Sequence, residues 1–515
     1  MPHRGIVVFS GGSAANNLVD VFEQVRVNKD CPLSYIIPIS DNGGSSSELI
    51  RFFGGPGIGD VRSRLVRLIP SAPSSPERDA ISRVFNHRLS ADSHTDAADE
   101  WQSVVAGTAD LWDGVPFAKR ELIRSFLNTL NMELLKRSRP PTSTFDFTSA
   151  SVGNLFLTGA RLFTGSFESA IYLLSSICQI PDGDVQVIPS ISSNFSHHIA
   201  AGLANGDIIV GQNNISHPSA PTSAPALPDV HSSTATRVRH SIDHADDLDA
   251  EDANIPGTLA TLRQRNIKFS KAEDDDLPAR IDRIWYINPF GQEMLPPANP
   301  RALSAVKDAQ AIIFSIGSLY TSLIPSIVIR GMGRALRSTP ARHKILILNG
   351  SLDREVGPSN SPFTAFDFVE AIARAGEQSR EEAWNPTQSI GSSEYATRTA
   401  TPSQATANGS LLSPDLASQV ELKMTKKSSI YRQYVTHVIH IGGEGTPEVD
   451  REHLASLGID CLKLYGRKNP TAKGMLYDGQ ALVGAIEAIL GKRGDAMSST
   501  RSRRNTLDSN WLPIQ

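Results

Sequence analysis

The chain has 515 residues, a length that allows about two to four domains. Its composition, with 40% hydrophobic and 20% charged residues, is that of a folded globular protein and excludes a collagen-like or wholly disordered chain. The formal net charge of −4 provides no basic field for a phosphate backbone, so nucleic-acid binding is disfavoured.

Neither disulfides nor a membrane anchor are predicted. The three cysteines, Cys31, Cys178 and Cys461, lie far apart and form no CxxC spacing, which argues against disulfides and zinc and favours a reducing compartment. The apolar run near the N-terminus is too short for a signal-peptide core. No window approaches the roughly 18 apolar residues that span a bilayer. We therefore expect a soluble, cytoplasmic protein without a membrane partner.

The predicted elements alternate between strands and helices. A buried strand over 5–9 is followed by a glycine turn and an amphipathic helix with Leu18, Val21, Phe22 and Val25 on one face. A second strand is predicted over 33–39. Similar apolar runs follow at 207–210, 283–287, 311–316, 343–348 and 435–440. Because these runs are apolar on both faces, they predict an α/β fold with a mostly parallel sheet covered by helices.

Three segments interrupt this pattern. Residues 217–279 and 376–418 are rich in Ser, Pro, Ala, Asp and Thr and lack apolar periodicity, which predicts disordered insertions. Residues 492–515 are predicted as a disordered tail, and 80–139 as a helical insertion. The remainder of residues 1–491 is predicted to form one α/β domain.

Four loops at strand ends carry the chemistry. The first, 10–13, contains Gly11, Gly12 and Ser13 between a strand and a helix, where backbone N–H groups and the helix dipole favour phosphate. An ordinary βα turn explains this loop equally well, since GxGxxG and Walker A patterns are absent.

The second loop, 40–47, combines Asp41 with Gly43, Gly44 and Ser45. One carboxylate among glycines and hydroxyls suits Mg²⁺, which combines one or two carboxylates with substrate phosphates. A helix N-cap loop is the alternative, because Asp, Asn and Ser all cap helices well. Asp41 is the predicted metal ligand and catalytic residue.

The third and fourth loops add donors. Residues 54–62 form a glycine tract that leads to Asp60 and Arg62, where an arginine can bind phosphate in a bidentate manner. Residues 315–322 follow the most apolar strand, and their hydroxyls could wrap a second phosphate or a sugar. A charged surface helix and a capped turn, respectively, are the plain alternatives.

Taken in order, these loops resemble the CofD-like family, also called uncharacterised protein family 0052, which includes 2-phospho-L-lactate transferases and bacterial gluconeogenesis factors. The segments that carry the resemblance are 7–12, 41–46, 57–62, 151–157, 317–325 and 477–478. The resemblance implies a three-layer, Rossmann-like α/β fold with a nucleotide cleft. The residues expected at the nucleotide or its phosphates are Gly11, Gly12, Ser13, Gly43, Gly44, Ser45, Asp60, Arg62, Asn154, Gly317, Ser318 and Thr321.

Two departures from the family pattern bear on mechanism. Asp41 is followed by Asn42 where the family commonly has a second acid, which puts a two-carboxylate metal site in doubt. The first loop reads Gly-Gly-Ser-Ala, and Ala14 is less permissive than the glycine common in the family.

The resemblance leaves two functions open. One is a transferase that moves a phospholactyl-type group from a nucleoside-diphosphate donor, such as a guanosine diphosphate, with Mg²⁺ assistance. The other is a non-catalytic metabolic sensor that binds a UDP-sugar, as the Gly-Gly-Ser-Ser pattern of the second loop is closer to the gluconeogenesis-factor branch. Whether the protein is an enzyme, whether its ligand is GDP, GTP or a UDP-sugar, and whether it forms a homodimer stay open.

Overall fold

The computed structural model describes residues 4–11, 14–70, 75–140, 143–181, 183–217, 258–259, 262, 276–380, 430–470 and 474–491. The strands are β1 (Ile6–Phe9), β2 (Leu33–Ile37), β3 (Val185–Pro189), β4 (His198–Leu203), β5 (Ile208–Val210), β6 (Ile281–Ile287), β7 (Glu293–Met294), β8 (Ala311–Phe314), β9 (His343–Ile347), β10 (His437–Ile441), β11 (Asp460–Leu464), β12 (Gly466–Lys468) and β13 (Met475–Tyr477).

The helices in these ranges are α1 (Val19–Lys29), α2 (Ser45–Phe53), α3 (Gly59–Arg67), α4 (Pro76–Asn86), α5 (His94–Ala106), α6 (Phe117–Arg137), α7 (Val152–Thr164), α8 (Phe167–Ile177), α9 (Gln212–Ser216), α10 (Pro300–Lys307), α11 (Met332–Ser338), α12 (Ala365–Gln378), α13 (Arg451–Ser456) and α14 (Gly479–Leu490). Short 3₁₀ or π turns lie at Ala14–Leu18, Asp110–Trp112, Leu319–Leu323, Ile324–Ser326 and Arg354–Val356. None of the described helices is long and apolar enough to cross a bilayer.

A seven-stranded parallel sheet forms the centre of the fold, in the order β11-β10-β9-β8-β1-β2-β3. Successive side chains of a strand point to opposite faces of the sheet. All four residues of β1 and all four of β8 are buried, so helices cover both faces here. The predicted α/β fold is confirmed.

Two of the predicted strands belong to a different sheet. The runs at 207–210 and 283–287 contribute to β5 and β6, which lie in a four-stranded antiparallel sheet of order β5-β4-β6-β7. Their assignment to the parallel sheet is wrong. β6 combines buried residues with exposed or partly exposed ones at Asp282, Arg283 and Trp285, and the Arg283 guanidinium carbon lies 4.3 Å from the centre of the Trp285 ring. That half-exposed pattern is typical of an antiparallel sheet with one solvated face.

The helical segment packs closely on the α/β body. A Cβ on Gly159 in α7 would lie 2.1 Å from the Phe126 backbone oxygen in α6, so only glycine permits this approach. The Phe126 and Phe156 rings meet edge to face, with centroids 5.5 Å apart. This contact anchors the segment predicted as a helical insertion, which contains α4, α5 and α6.

The predicted insertions fall mainly outside the described residues, as does the tail from 492. Residues 217, 258–259, 262 and 276–279 of the first insertion are described. The second insertion was predicted to start at about residue 376, and α12 continues to Gln378. Gly376 is buried there, and a Cβ would lie 2.2 Å from Cε1 of Tyr434.

Candidate functional site

The strand order changes direction beside β1. The chain leaves β1 toward β2 and β3 on one side, while β8 to β11 extend the sheet on the other. In open parallel sheets, ligands bind outside the carboxyl ends of the strands at such a switch point. Four loops meet this criterion by position, namely those that follow β1, β2, β8 and β9.

Two glycines bring the loops after β1 and β8 together. A Cβ on Gly11 would lie 3.0 Å from Asp60 Oδ2 and 3.1 Å from the Ser322 Cβ. Gly317 has a φ of +139°, and its Cβ would lie 3.7 Å from the Gly11 carbonyl oxygen. Glycine is favoured at Gly11 by the close approach of these side chains, and at Gly317 by the positive φ. Gly12 and Ser13, predicted to face phosphate, lie outside the described residues.

Asp41 follows β2 and lies against the start of α3. Its Oδ1 accepts from the Gly43 backbone N–H at 3.0 Å, and its Oδ2 accepts from Ser46 Oγ at 3.2 Å. A Cβ on Gly59 would lie 2.3 Å from Asp41 Oδ2, so the carboxyl group sits directly on this glycine. Burial raises the pKa of Asp41, although the hydrogen bonds from Gly43 and Ser46 oppose this shift.

The glycine pair after Asp41 leads into α2. Gly44 has a φ of +53°, and α2 begins at Ser45. The Ser45 hydroxyl accepts from Asn154 Nδ2 at 3.1 Å and from the Ser151 backbone N–H at 3.4 Å. Ser151 caps α7 by accepting from the Asn154 backbone N–H. The α2 start is thereby bonded to the α7 start, which explains how distant motifs meet.

Arg62 joins this group from α3. Its Nε donates to Asn154 Oδ1 at 3.3 Å, and an Nη donates to Asn86 Oδ1 at 3.4 Å. Burial lowers the pKa of Arg62 to about 10, with a further lowering by Arg88, while Asp41 and Asp60 act in the opposite direction. In these two hydrogen bonds, the acceptors of the Arg62 guanidinium are the neutral side-chain amides of Asn154 and Asn86.

Arg64, one of the arginines on the helix that follows the glycine tract at 54–62, lies beneath the first loop. Its side chain is 1% exposed, its guanidinium carbon lies 4.5 Å from the centre of the Tyr35 ring, and an Nη donates to Ser10 Oγ at 3.2 Å. Burial lowers its pKa. A buried cation under the β1 loop favours a negative charge above it.

The loop after β8 is fixed by side chains that follow β9. The Asn349 side chain accepts from the Gly317 N–H and donates to the Gly317 carbonyl, both at 2.9 Å. Glu355, which is 1% exposed, accepts from the Tyr320 and Thr321 N–H groups at 2.8 and 3.0 Å. It also contacts Thr321 Oγ1 at 2.5 Å. No sequence motif pointed to Asn349 or Glu355.

Asp353 lies in the same turn as Glu355. Its Oδ1 is buried and has no hydrogen-bond partner among the described residues. Burial raises the pKa of Asp353, and a hydrogen bond from the half-buried Ser318 opposes the shift. Predicted site residue Ser318 therefore lies beside a second acidic group.

A short helix, α9, connects the Asp41 loop to the turn containing Glu355. The α9 residue Gln212 donates to Asp41 Oδ1 at 3.4 Å, and the Asn213 N–H donates to Asn42 Oδ1 at 3.1 Å. Arg354 donates to the backbone oxygens of Asn214 and Ile215 at 2.8 and 2.9 Å. The loops after β2 and β9 are thus held by one element.

A cavity of about 650 Å³ opens between α3 and α4. It shares Asn86 with the hydrogen bonds of Arg62. Its lining residues are Asn16, Ser63, Val66, Arg67, Ile69, Pro70, Arg78, Asp79, Ser82 and Asn86. The volume is within the range of pockets for small ligands, and the lining combines an apolar wall with amides and hydroxyls.

The predicted residues thus form two connected groups. Gly11, Gly317, Asp60 and Ser318 surround the switch point, and Asp41, Gly43, Gly44, Ser45, Arg62 and Asn154 form a hydrogen-bonded group at the starts of α2, α3 and α7. Thr321 is 3% exposed, and its hydroxyl contacts Glu355.

Comparison with known proteins identifies relatives over most of this chain. The sequence model of the family described as 2-phospho-L-lactate transferase CofD matches residues 6–425. The Saccharomyces cerevisiae protein named Uncharacterized protein YNL011C is 40% identical over 381 residues, which are 72% of this chain and 83% of the yeast protein. The Gluconeogenesis factor of Halalkalibacterium halodurans is 22% identical over 372 residues, which are 72% of this chain and 74% of that protein.

The fold is also found among solved structures. The crystal structure of protein BH3568 from Bacillus halodurans has a TM-score of 0.53 with 16% sequence identity, covering 94% of this chain and 99% of that chain. A second structure of that protein, titled a member of the UPF0052 family, has a TM-score of 0.52. The match over residues 6–425 and the identity to the yeast protein are decisive. The chain belongs to the CofD family.

Proposed function

We propose that this protein binds a nucleotide or nucleotide-sugar by its phosphates, at the switch point between β1 and β8. The observation that carries this proposal is the close approach of the Gly11 and Gly317 loops. At the carboxyl ends of β1 and β8, these two glycines present main chain with no side chain between it and a ligand. Arg64 beneath the β1 loop and Arg62 beside Asn154 supply positive charge for phosphate.

The cavity between α3 and α4 supports a ligand larger than phosphate. It adjoins Arg62 through Asn86, so a phosphate at Arg62 would place the rest of a nucleotide within reach of the cavity. Ile69 and Pro70 offer an apolar wall for a planar base, while Asn16 offers polar groups at its edge.

The residues present fit Mg²⁺ that is shared with ligand phosphates. Asp41, with Ser46 bonded to it and the Asp60 carboxyl near Gly11, resembles the small carboxylate sets that bind Mg²⁺ together with phosphates and water. Within the described residues no group of three or more His, Cys, Asp or Glu could hold a metal alone. When bound, Mg²⁺ would offset the negative charge on the phosphates.

A transferase would use these same groups to position the donor. Arg62 would orient a phosphate, held in place itself by the Asn154 and Asn86 oxygens. The buried Arg64 beneath the first loop would stabilise negative charge that develops on the transferred group. Asp41, whose pKa burial raises, is the candidate to accept a proton from the attacking hydroxyl.

A thermal-shift panel tests nucleotide binding. The protein is melted with GDP, GTP, UDP and UDP-glucose, each with Mg²⁺ and with EDTA. A ligand at a hundred times its Kd stabilises the native state by about 2.7 kcal/mol, which raises the melting temperature measurably. Arg62→Gln should reduce the response. Arg83→Gln serves as the matched control, because the Arg83 side chain donates to the Asp113 backbone oxygen. Absence of any response in the wild type would refute the proposal.

A second candidate function is a sensor that binds a UDP-sugar without turnover. The similarity to a protein named Gluconeogenesis factor favours this alternative. Asp41→Ala separates the two candidates. A transferase should lose its rate by several orders of magnitude while it still binds ligand, whereas a sensor that binds without metal should keep its affinity and show no turnover before or after the change.

A further inference from the structure

The loop after β8 receives most of its fixed contacts from Glu355. One carboxyl oxygen, Oε2, accepts from two backbone N–H groups, those of Tyr320 and Thr321. The other, Oε1, makes a single contact of 2.5 Å with Thr321 Oγ1. The carboxyl is almost wholly buried, so water does not compete for these bonds.

The direction of the hydrogen bond between Glu355 Oε1 and Thr321 Oγ1 depends on whether Glu355 is protonated. Oε2 accepts two N–H bonds and acts as a bare oxygen whether or not the group is ionised. Only one hydrogen can lie between Oε1 and Thr321 Oγ1. If Glu355 is ionised, Thr321 must donate to it. If Glu355 is protonated, it donates to Thr321, and the threonine hydroxyl hydrogen becomes available to another acceptor.

We propose that Glu355 is a proton-dependent positioning residue for the ligand loop, which releases the Thr321 hydroxyl to donate to a ligand phosphate only when Glu355 is protonated. This inference rests on the proposed nucleotide site and adds a regulation of that site by pH. Asn349 holds Gly317 independently, so the loop keeps its place while the hydroxyl of Thr321 changes its role.

The charges around Glu355 favour the protonated form near neutral pH. Burial, followed by the neighbouring Asp353, raises the pKa of Glu355 to about 8. The guanidinium of Arg354, in the same turn, donates to the backbone oxygens of Asn214 and Ile215 in α9 and to that of His217, the ionisable residue that follows α9. On the β8 side, the Tyr320 hydroxyl donates to the Ile281 backbone oxygen.

The test compares Glu355→Gln with the wild type by isothermal titration of GDP and UDP-glucose between pH 7 and 9. Glutamine can accept both N–H bonds with its oxygen and donate to Thr321 with its amide, so it imitates the protonated acid. The wild-type Kd should rise about tenfold from pH 7 to pH 9, as the competent fraction falls. At pH 7, Glu355→Gln should bind as tightly as the wild type. Its Kd should change little between pH 7 and pH 9.

Two further variants complete the titration. Thr321→Val should bind more weakly than the wild type at pH 7, and its Kd should no longer depend on pH. Thr321→Ser, which keeps a hydroxyl, should retain the wild-type affinity and its pH dependence. Glu370→Gln is the matched control, because Glu370 lies on α12 and its carboxyl accepts from the Tyr431 hydroxyl. A pH profile of Glu355→Gln equal to that of the wild type, or weaker binding of this variant at every pH, would overturn the inference.

A measurement without ligand keeps the inference testable if no nucleotide binds. The folded-state pKa of Glu355 lies above its unfolded value, so its contribution to stability is complete below the unfolded pKa and is lost as pH rises to about 8. The melting temperature of Glu355→Gln minus that of the wild type should therefore increase from pH 5 to pH 8. A constant difference would overturn the inference, while a wild type that binds no nucleotide would refute only the proposed function.

Discussion

Gly57→Ala should displace the Asp41 loop. A Cβ at this position would lie 2.2 Å from the Asp41 backbone oxygen and 2.6 Å from its backbone nitrogen, both far inside contact distance. The Gly57 N–H also donates to the Ile39 oxygen at 2.8 Å, so the glycine cannot move away without a lost bond. The steric clash is therefore relieved by a movement of the Asp41 backbone, which must shift by about 1 Å.

The shift has two measurable consequences. Forced overpacking of this kind costs about 1–3 kcal/mol of unfolding free energy, which urea denaturation followed by circular dichroism will detect. A displacement of about 1 Å in a positioning loop can also reduce a reaction rate about a hundredfold, and we expect a clear loss of nucleotide affinity in the thermal-shift panel.

Gly484→Ala provides the matched control. Gly484 lies within α14, and no atom is within 4 Å of its would-be Cβ. Alanine is favoured over glycine in a helix by about 1 kcal/mol, so this variant should be as stable as the wild type or more so. If Gly57→Ala unfolds at the wild-type urea midpoint and binds ligand normally, the steric reasoning at Asp41 is wrong.

Three further predictions concern charge, pH and packing. Arg62→Gln should weaken GDP binding about tenfold to a hundredfold, since a charged hydrogen bond is lost, as measured by calorimetry at constant salt. Burial lowers the pKa values of His197 and His198 to about 4, so the folded protein keeps both side chains neutral at pH values where the unfolded chain protonates them. The free energy of unfolding is therefore highest above the unfolded pKa near 6.5 and decreases as the pH falls toward 4. The unfolding free energy should drop by about 3–4 kcal/mol from pH 7 to pH 5, about 2 kcal/mol for each histidine. Gly159→Ala should cost about 1–3 kcal/mol by pushing α7 away from the Phe126 backbone, as read from urea midpoints.

Controls and refuting outcomes differ among these. For Arg62, equal loss of affinity in Arg83→Gln would indicate a general effect of charge. For the histidines, a double change to phenylalanine should flatten the pH dependence between 7 and 5, and an unchanged slope would assign it to other groups. For Gly159, stability equal to that of Gly484→Ala would show that α6 and α7 separate without cost.

The strands of the central sheet were predictable because burial on both faces leaves a direct record in the sequence. The runs at 5–9, 33–39, 311–316, 343–348 and 435–440 correspond to β1, β2, β8, β9 and β10 within two residues at each end. Pairing was less predictable. The runs at 207–210 and 283–287 are apolar enough for a strand, but a local pattern does not specify which strand lies beside it, and they pair antiparallel through β4.

The family and the positions of the glycine loops were determined by the sequence alone, because the glycines stand in fixed order and three of the four loops follow a strand, whereas residues 54–62 follow helix α2. Only the tertiary structure decided how these loops are held. Asn349 and Glu355 act on residues 32 to 35 positions away, and α9 contacts Asp41 across 171 residues. The helix after the glycine tract was predicted to carry phosphate-binding arginines, but the burial of Arg64 against Tyr35 and Ser10 was not evident from the sequence. A local motif encodes the conformation of a loop, whereas burial, charge and hydrogen bonding between distant segments arise only when the sheet brings the loops together.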